Sequence, residues 1–290
     1  TRPVRGGQAR GRRARRGVTA AVTDDDRATF RRDGVIALRG VLPLELVESL
    51  DAPVAEAMVD PDTTADMTEL RRSLGGTGDG GGRFLSGVDH WRRIPALRSF
   101  ALDSPLPELV AELLESSTLR LYEDSVLVKE PGTRAPTMFH QDLSYFSVDG
   151  DQICTTWVPI DPVDRSSGAL GYVRGSHRDP TSWRPNLFVS TDPTHDGPGT
   201  DVPDLHARPG DADIVWIEAR PGDVLVHHAR TLHGAGPNAS SRPRRAISVR
   251  YCGDDVRVHR RPGGVPKPHH AHLRDGDPLD DAFPLAGTAS

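Results

Sequence analysis

The sequence predicts a mainly β fold, a sandwich or barrel of short strands with flanking helices, and three observations predict it. Gly (29) and Pro (25) are frequent among the 290 residues, which favours a turn-rich architecture over a helical bundle. From Leu119 onward, short strand-like runs alternate with turns, at 119–129, 137–146, 152–160, 169–173, 213–217, 223–228 and 245–251. Helical periodicity is confined to the part of the chain before them.

Those helices read in order. Thr23 followed by Asp24, Asp25 and Asp26 is an N-cap with acids in the first turn, and the helix should run to about Arg32 and stop at Gly34. Val35–Leu38 reads as a strand. Pro43 to about Val59 reads as one helix, with Leu46, Val47, Leu50, Val54 and Met58 at near-helical spacing. Residues 60–88 lack periodicity and read as a mobile loop or lid candidate. Leu106–Leu114 fits another amphipathic helix. Residues 178–210 read as a Pro/Asp/Gly-rich insertion between strands, and the tail after Val258 as a surface wrap.

Composition bounds the function. Hydrophobic residues make up 36% and charged residues 27%, and no apolar run approaches the ~20 residues needed to cross a bilayer. The expectation is a soluble, cytoplasmic protein with no membrane partner. The net charge is −5, yet residues 1–17 carry seven Arg and no acid, so the remainder stands at −12. Residues 1–22 read as a disordered basic extension, and the acidic body argues against nucleic acid as a partner. Residues 23–290 read as one domain, with a β core at about 119–258 and a tail at 259–290. Cys154 and Cys252 read as free core thiols of a reducing compartment, although one long-range disulfide stays open.

The chemistry is concentrated in Thr137–Phe146. Residues two apart in a strand share a face, so His140 and Asp142 converge on one point. An imidazole and a carboxylate there can take two adjacent positions on a divalent metal. The third ligand should be a distant His, and His233, just before a Gly-rich turn, is the candidate; His227 and His228 are its rivals. Two His and one carboxylate make the facial triad of non-haem iron(II) oxygenases. The three positions left free suit a bidentate keto acid plus O₂. An anion anchor is then needed, and Arg244 is placed to grip a carboxylate with two parallel hydrogen bonds. Arg244, Ala246, Ser248 and Arg250 share one strand face by parity, so Arg250 competes for the role.

These residues resemble the phytanoyl-CoA dioxygenase-like family of iron(II)/2-oxoglutarate oxygenases, over roughly residues 24–258. His140-Gln-Asp142-Leu-Ser-Tyr-Phe146 resembles the family's HxD segment, Gly171–Arg178 its "PGSH" turn, and His233-Gly-Ala-Gly-Pro-Asn238 its distal-histidine turn. Arg244–Ser248 is similar to its keto-acid strand, and Trp157 to its tryptophan beside 2-oxoglutarate. The resemblance implies a double-stranded β-helix (jelly-roll, cupin-like) core. It implies iron(II), 2-oxoglutarate and O₂ as cofactors, and hydroxylation of a small organic molecule coupled to release of succinate and CO₂. His140, Asp142 and His233 would be the catalytic metal ligands, and Arg244 and Trp157 the co-substrate contacts. Related halogenases carry a small residue where Asp142 stands, so halogenation is not expected.

The chain departs from the pattern at Arg174, where Pro is usual, and at Ala235, where some members carry a Ser near the co-substrate. Lys129 stands where members often carry a polar residue near the metal mouth, without an assigned role. His177 reads as a turn residue, and His269, His270 and His272 as a solvated loop. The rival classes are a cupin-like isomerase or lyase that does not use 2-oxoglutarate, a non-catalytic binding module, and a nucleic-acid demethylase guided by the Arg-rich tail.

Overall fold

A computed structural model describes residues 22–76, 81–262, 264 and 267–287. The predicted basic extension lies outside the described residues except for Val22, which is buried. So do residues 77–80 of the predicted lid.

The helices are α1 (Asp24–Asp33), α2 (Leu44–Glu48), α3 (Asp51–Met58), α4 (Met67–Ser73), α5 (Pro95–Asp103) and α6 (Leu106–Leu114). The strands are β1 (Val35–Leu38), β2 (Thr64–Asp66), β3 (Phe84–Val88), β4 (Arg120–Lys129), β5 (Thr137–His140), β6 (Val148–Asp149), β7 (Ile153–Pro159), β8 (Leu170–Val173), β9 (Ile214–Ile217), β10 (Val224–His228), β11 (His233–Ala235), β12 (Arg244–Cys252) and β13 (Arg257–Val258). Seven strands form one antiparallel sheet in the order β1-β10-β7-β12-β4-β3-β2, and four form a second, β5-β11-β8-β9. The fold is mainly β with flanking helices, a jelly roll of two facing sheets.

Local chemistry explains the ends of α1. Asp26 N–H donates to Thr23 Oγ1 at 3.1 Å while Thr23 N–H donates to Asp26 Oδ2 at 2.8 Å, a reciprocal cap. Gly34 ends the helix at φ 75, and a Cβ there would lie 2.4 Å from His177 Nδ1, so no other residue fits.

Alternation within each strand sorts side chains between two layers. Ile247 and Val249 of β12, Val126 and Val128 of β4 and Val224 and Val226 of β10 point outward and pack against Phe30, Leu50, Val54, Leu97, Phe100, Leu109 and Leu113 of the helices. Their neighbours Leu127, Trp157, Leu225 and Ala246 point inward toward the four-stranded sheet. The seven-stranded sheet is therefore buried on both faces, and its inner face is the floor of the site.

Several expectations need correction. The single helix predicted for Pro43–Val59 is two. Pro53 has no N–H to give the carbonyl of Ser49 and its ring crowds that carbonyl, so the chain breaks there and restarts at Asp51. The predicted loop at 60–88 contains β2, α4 and β3, and β3 pairs along β4. Helix α5 was not foreseen. The strand predicted for 137–146 ends at His140, and Asp142–Tyr145 is a 3₁₀ turn. The tail does more than wrap the surface: Leu273, Leu279 and Phe283 are buried in a cluster with Tyr122, Phe146 and Val148. His270, predicted to be solvated, is buried against Phe283 at 4.9 Å between ring centroids. Cys154 and Cys252 are free and buried, as expected.

Candidate metal centre

β5 and β11 are adjacent in the four-stranded sheet, and their register sets His140 opposite His233. Gly234 permits that close pairing, since a Cβ there would come within 2.9 Å of the Phe139 ring and of Thr137 O. Gln141 keeps extended backbone (φ −115, ψ 122), so Asp142 still emerges on the face of His140 although the ladder has ended. One ligand atom from each of His140, Asp142 and His233 lies within 4.8 Å of the others, and all three residues are buried.

The orientation of each donor is fixed from behind. His140 Nδ1 lies 2.8 Å from Met138 O, and His233 Nδ1 lies 3.0 Å from Thr231 O. A carbonyl only accepts, so each Nδ1 carries the hydrogen and each Nε2 is left as a bare donor. Those Nε2 atoms stand 3.4 and 3.8 Å from Asp142 Oδ1. The other carboxylate oxygen is taken: Thr155 Oγ1 donates to Oδ2 at 2.6 Å, and His227 Nε2 lies 3.3 Å from it. Burial pushes the Asp142 carboxyl up, but His233, His140, His227 and Arg250 together hold it well below the ordinary carboxylate range. Burial, followed by the neighbouring His227 and His140, pushes His233 down and keeps it neutral. One carboxylate oxygen and two imidazole nitrogens on one side of a point make a donor set for a divalent first-row metal.

Further along the same cavity the charge is reversed. Arg244 is 1% exposed, its Nη2 donates to Gly168 O at 3.2 Å, and its Nε and Nη1 have no partner. Its guanidinium lies 5.5 Å from the Trp157 ring centroid. Lys129 is its register partner on β4, fully buried, with Nζ donating to Gly236 O at 2.7 Å. Neither cation has an acidic partner among the described residues. Burial drives Arg244 down to about 10, and burial, then Arg244, drives Lys129 well below its ordinary range. Burying two basic groups without a counter-charge penalises their charged forms, and an organic dianion reaching from the metal would favour the charged form of both.

The predicted residues His140, Asp142, His233, Trp157 and Arg244 thus line one cavity, and Arg250 and His227 line it too. His228 does not. Its Nε2 lies 2.9 Å from Asp151 O, on the outer side of the sheet. His177 is the turn residue expected, with Nε2 3.1 Å from Arg31 O. Sequence reading missed Thr155 and left Lys129 without a role. Thr155 stands two residues before Trp157, so strand parity could have found it; the pairing of Lys129 with Arg244 left no signal in the sequence. A larger cleft of about 960 Å³ lies behind Gln141 and Ser144 and contains no triad residue. Of the arginines that line it, Arg31 pairs with Glu115, Arg184 with Asp201, Arg230 with Asp149 and Asp151, Arg260 with Asp275 and Arg261 with Asp149, whereas Arg178 has no acid within ion-pair distance among the described residues.

Comparison with known proteins agrees with this geometry. A family model described as phytanoyl-CoA dioxygenase matches residues 30–246. A probable alpha-ketoglutarate-dependent hypophosphite dioxygenase from Stutzerimonas stutzeri is 28% identical over 166 residues, 56% of each chain. A 1-deoxypentalenic acid 11-beta-hydroxylase from Streptomyces exfoliatus is 26% identical over 232 residues, covering 76% of this chain and 77% of that one. Among solved structures, the epimerase SnoN in complex with Fe3+, alpha ketoglutarate and nogalamycin RO superposes with a TM-score of 0.67 at 28% identity, covering 89% of this chain and 96% of the other.

Proposed function

Because the chain belongs to the phytanoyl-CoA dioxygenase family, we propose that it hydroxylates a small organic metabolite, with His140, Asp142 and His233 holding the metal and Arg244 and Trp157 seating the co-substrate. It is a 2-oxoglutarate-dependent, non-haem iron dioxygenase, and iron(II), 2-oxoglutarate and O₂ are its cofactors. The observation that carries the site assignment is the cavity's division: three convergent donors at one end, and at the other Arg244, with Lys129 beside it in the sheet, neither basic group having an acidic partner among the described residues.

When bound, iron and 2-oxoglutarate supply O₂ activation, giving succinate, CO₂ and an oxidised substrate. The protein's part is positioning. Met138 O and Thr231 O hold the two imidazoles in the metal-binding tautomer. Thr155 and His227 occupy Asp142 Oδ2, so that Asp142 offers one oxygen and keeps the remaining positions free for the co-substrate and O₂. Arg244, flanked by Trp157, has Nε and Nη1 unpartnered and would hold the far carboxylate of 2-oxoglutarate, with Lys129 beside it able to take up a proton as a second positive charge. Leu127, Leu170 and Phe188 line the cavity and exclude water.

A small substrate is supported by the relatives, whose names refer to hypophosphite and 1-deoxypentalenic acid. Among the described residues no helix is long and apolar enough to cross a membrane. The two free buried thiols support a reducing, cytoplasmic setting. The test is incubation with iron(II), ascorbate, 2-oxoglutarate and a metabolite panel, reading succinate and product mass. Succinate stimulated by one metabolite, with a product one oxygen atom heavier, is the expected result. A product isomeric with its substrate would replace hydroxylation with epimerisation, the activity named for SnoN. No 2-oxoglutarate turnover with any metabolite would overturn the reading.

A further inference from the structure

The inner face of β12 carries two arginines, and only Arg244 has a task so far. Arg250, six residues on, shares that face and lines the same cavity. One edge of its guanidinium is engaged: Nη1 donates to Ser125 Oγ at 2.6 Å and lies 3.6 Å from Glu123 Oε1. The other edge is open. Its Nε is buried without a partner, and Nη2 makes no hydrogen bond among the described residues.

A purely structural role does not account for this. Glu123 already has a closer cation, Lys267 Nζ at 2.5 Å, which also binds Asp89 at 2.7 Å. Shared between two carboxylates, Lys267 leaves one negative charge, which Arg250 offsets through its Nη1 edge alone; Nε and Nη2 take no part in that pairing. Glu123 and Ser125 hold one edge of the guanidinium still and leave the Nε–Nη2 edge, which matches a carboxylate in two parallel hydrogen bonds. Its neighbour across the ladder is Thr155, the residue that holds Asp142, so Arg250 stands beside the metal centre. Arg244 reaches over Trp157 and Arg250 onto Ser125, and Trp157 and Ser125 both flank Ser248 in the sheet.

We propose that Arg250 is a second carboxylate seat in the metal cavity, taking through its free edge either the metal-side carboxylate of 2-oxoglutarate or a carboxylate of the organic substrate. This rests on the reading that iron and 2-oxoglutarate occupy this cavity. It makes Arg250 a specificity determinant: in the second case the enzyme prefers anionic substrates to their neutral analogues.

The test uses the whole protein loaded anaerobically with iron(II), as wild type and as Arg250→Met. Calorimetry gives the 2-oxoglutarate affinity without any organic substrate. Hexanoate and its neutral counterpart hexanamide are then titrated into the iron–2-oxoglutarate complex and read by the change in its visible absorption. About a tenfold or greater loss of 2-oxoglutarate affinity in Arg250→Met assigns the seat to the co-substrate. Unchanged 2-oxoglutarate affinity, with wild type preferring hexanoate about tenfold and Arg250→Met losing that preference, assigns it to the substrate. Unchanged 2-oxoglutarate affinity with no preference in wild type, or one that survives in Arg250→Met, overturns the proposal. Should Arg250→Met fail to fold, Glu123→Gln/Arg250→Met removes the charge pair together and is read in the same way. If wild type itself binds neither iron nor 2-oxoglutarate, the underlying reading has failed and the proposal falls with it. That outcome is distinct from a failure at Arg250 alone.

Discussion

The two ends of the cavity are finished to different degrees. At the metal end every donor is braced by the protein: Met138 O behind His140, Thr231 O behind His233, Thr155 and His227 behind Asp142. At the anchor end, Arg244 has two unpartnered nitrogens, and Lys129, bonded to Gly236 O and 4.6 Å from the Phe84 ring centroid, has no acidic partner among the described residues. Preorganised donors cost nothing further when the metal arrives, whereas the anchor end carries a penalty that only an anion removes. Metal and co-substrate affinity should therefore be separable by mutation, in that order of dependence.

The largest expected effect is at the metal end. His140→Ala or His233→Ala should lower iron(II) affinity by more than about a hundredfold, beyond the ~10–100-fold typical of outer partners, and 2-oxoglutarate chelation should go with it. Anaerobic iron titration checks this. Next comes Arg244→Met, which should weaken 2-oxoglutarate by about 2–4 kcal/mol while iron binding stays within a few-fold of wild type, read by calorimetry. Equal loss of both affinities would break the division between the ends. Thr155→Val should cost about tenfold in iron affinity and Thr155→Ser nearly nothing, because only the hydroxyl matters.

The smallest effects concern Lys129 and sharpen the comparison most. Burial places its folded pKa below the unfolded value, so the unfolded chain binds the proton more readily and Lys129 destabilises the empty protein at neutral pH. That penalty fades as pH rises toward the unfolded value near 10.4. Lys129→Met should therefore raise the melting temperature of the 2-oxoglutarate-free protein by a few degrees while weakening 2-oxoglutarate. Calorimetry in buffers of different ionisation enthalpy should show proton uptake, up to one per 2-oxoglutarate bound, in wild type and none in Lys129→Met. Release in place of uptake would contradict the charge assignment.

Much of the metal end was legible in the sequence, and less of the anchor end. His140, Asp142 and His233 follow from donor type and spacing. β5 stops at His140, and only the extended backbone of Gln141 carries the side-chain alternation one residue further to Asp142. His227, a rival for the distal ligand, was ambiguous because period two places it on the inner face as well. The structure puts its Nε2 against Asp142 Oδ2. The anchor end depends on which strands become neighbours. Lys129 meets Arg244 only because β4 pairs with β12 in that register, a long-range choice that leaves no local pattern. The fold misses have similar causes. Pro53 broke a helix whose periodicity continued across it, and β2 is too short to show alternation. Leu273, Leu279 and Phe283 are buried without any periodic spacing.

The most direct test of the account is anaerobic addition of iron(II) and then 2-oxoglutarate to wild type, His233→Ala and His227→Phe, followed by visible absorption. One iron should bind per chain, and a charge-transfer band should develop in wild type and persist in His227→Phe at somewhat higher iron concentration. It should be absent from His233→Ala. A band that survives in His233→Ala and vanishes in His227→Phe would contradict the assignment of the three ligands.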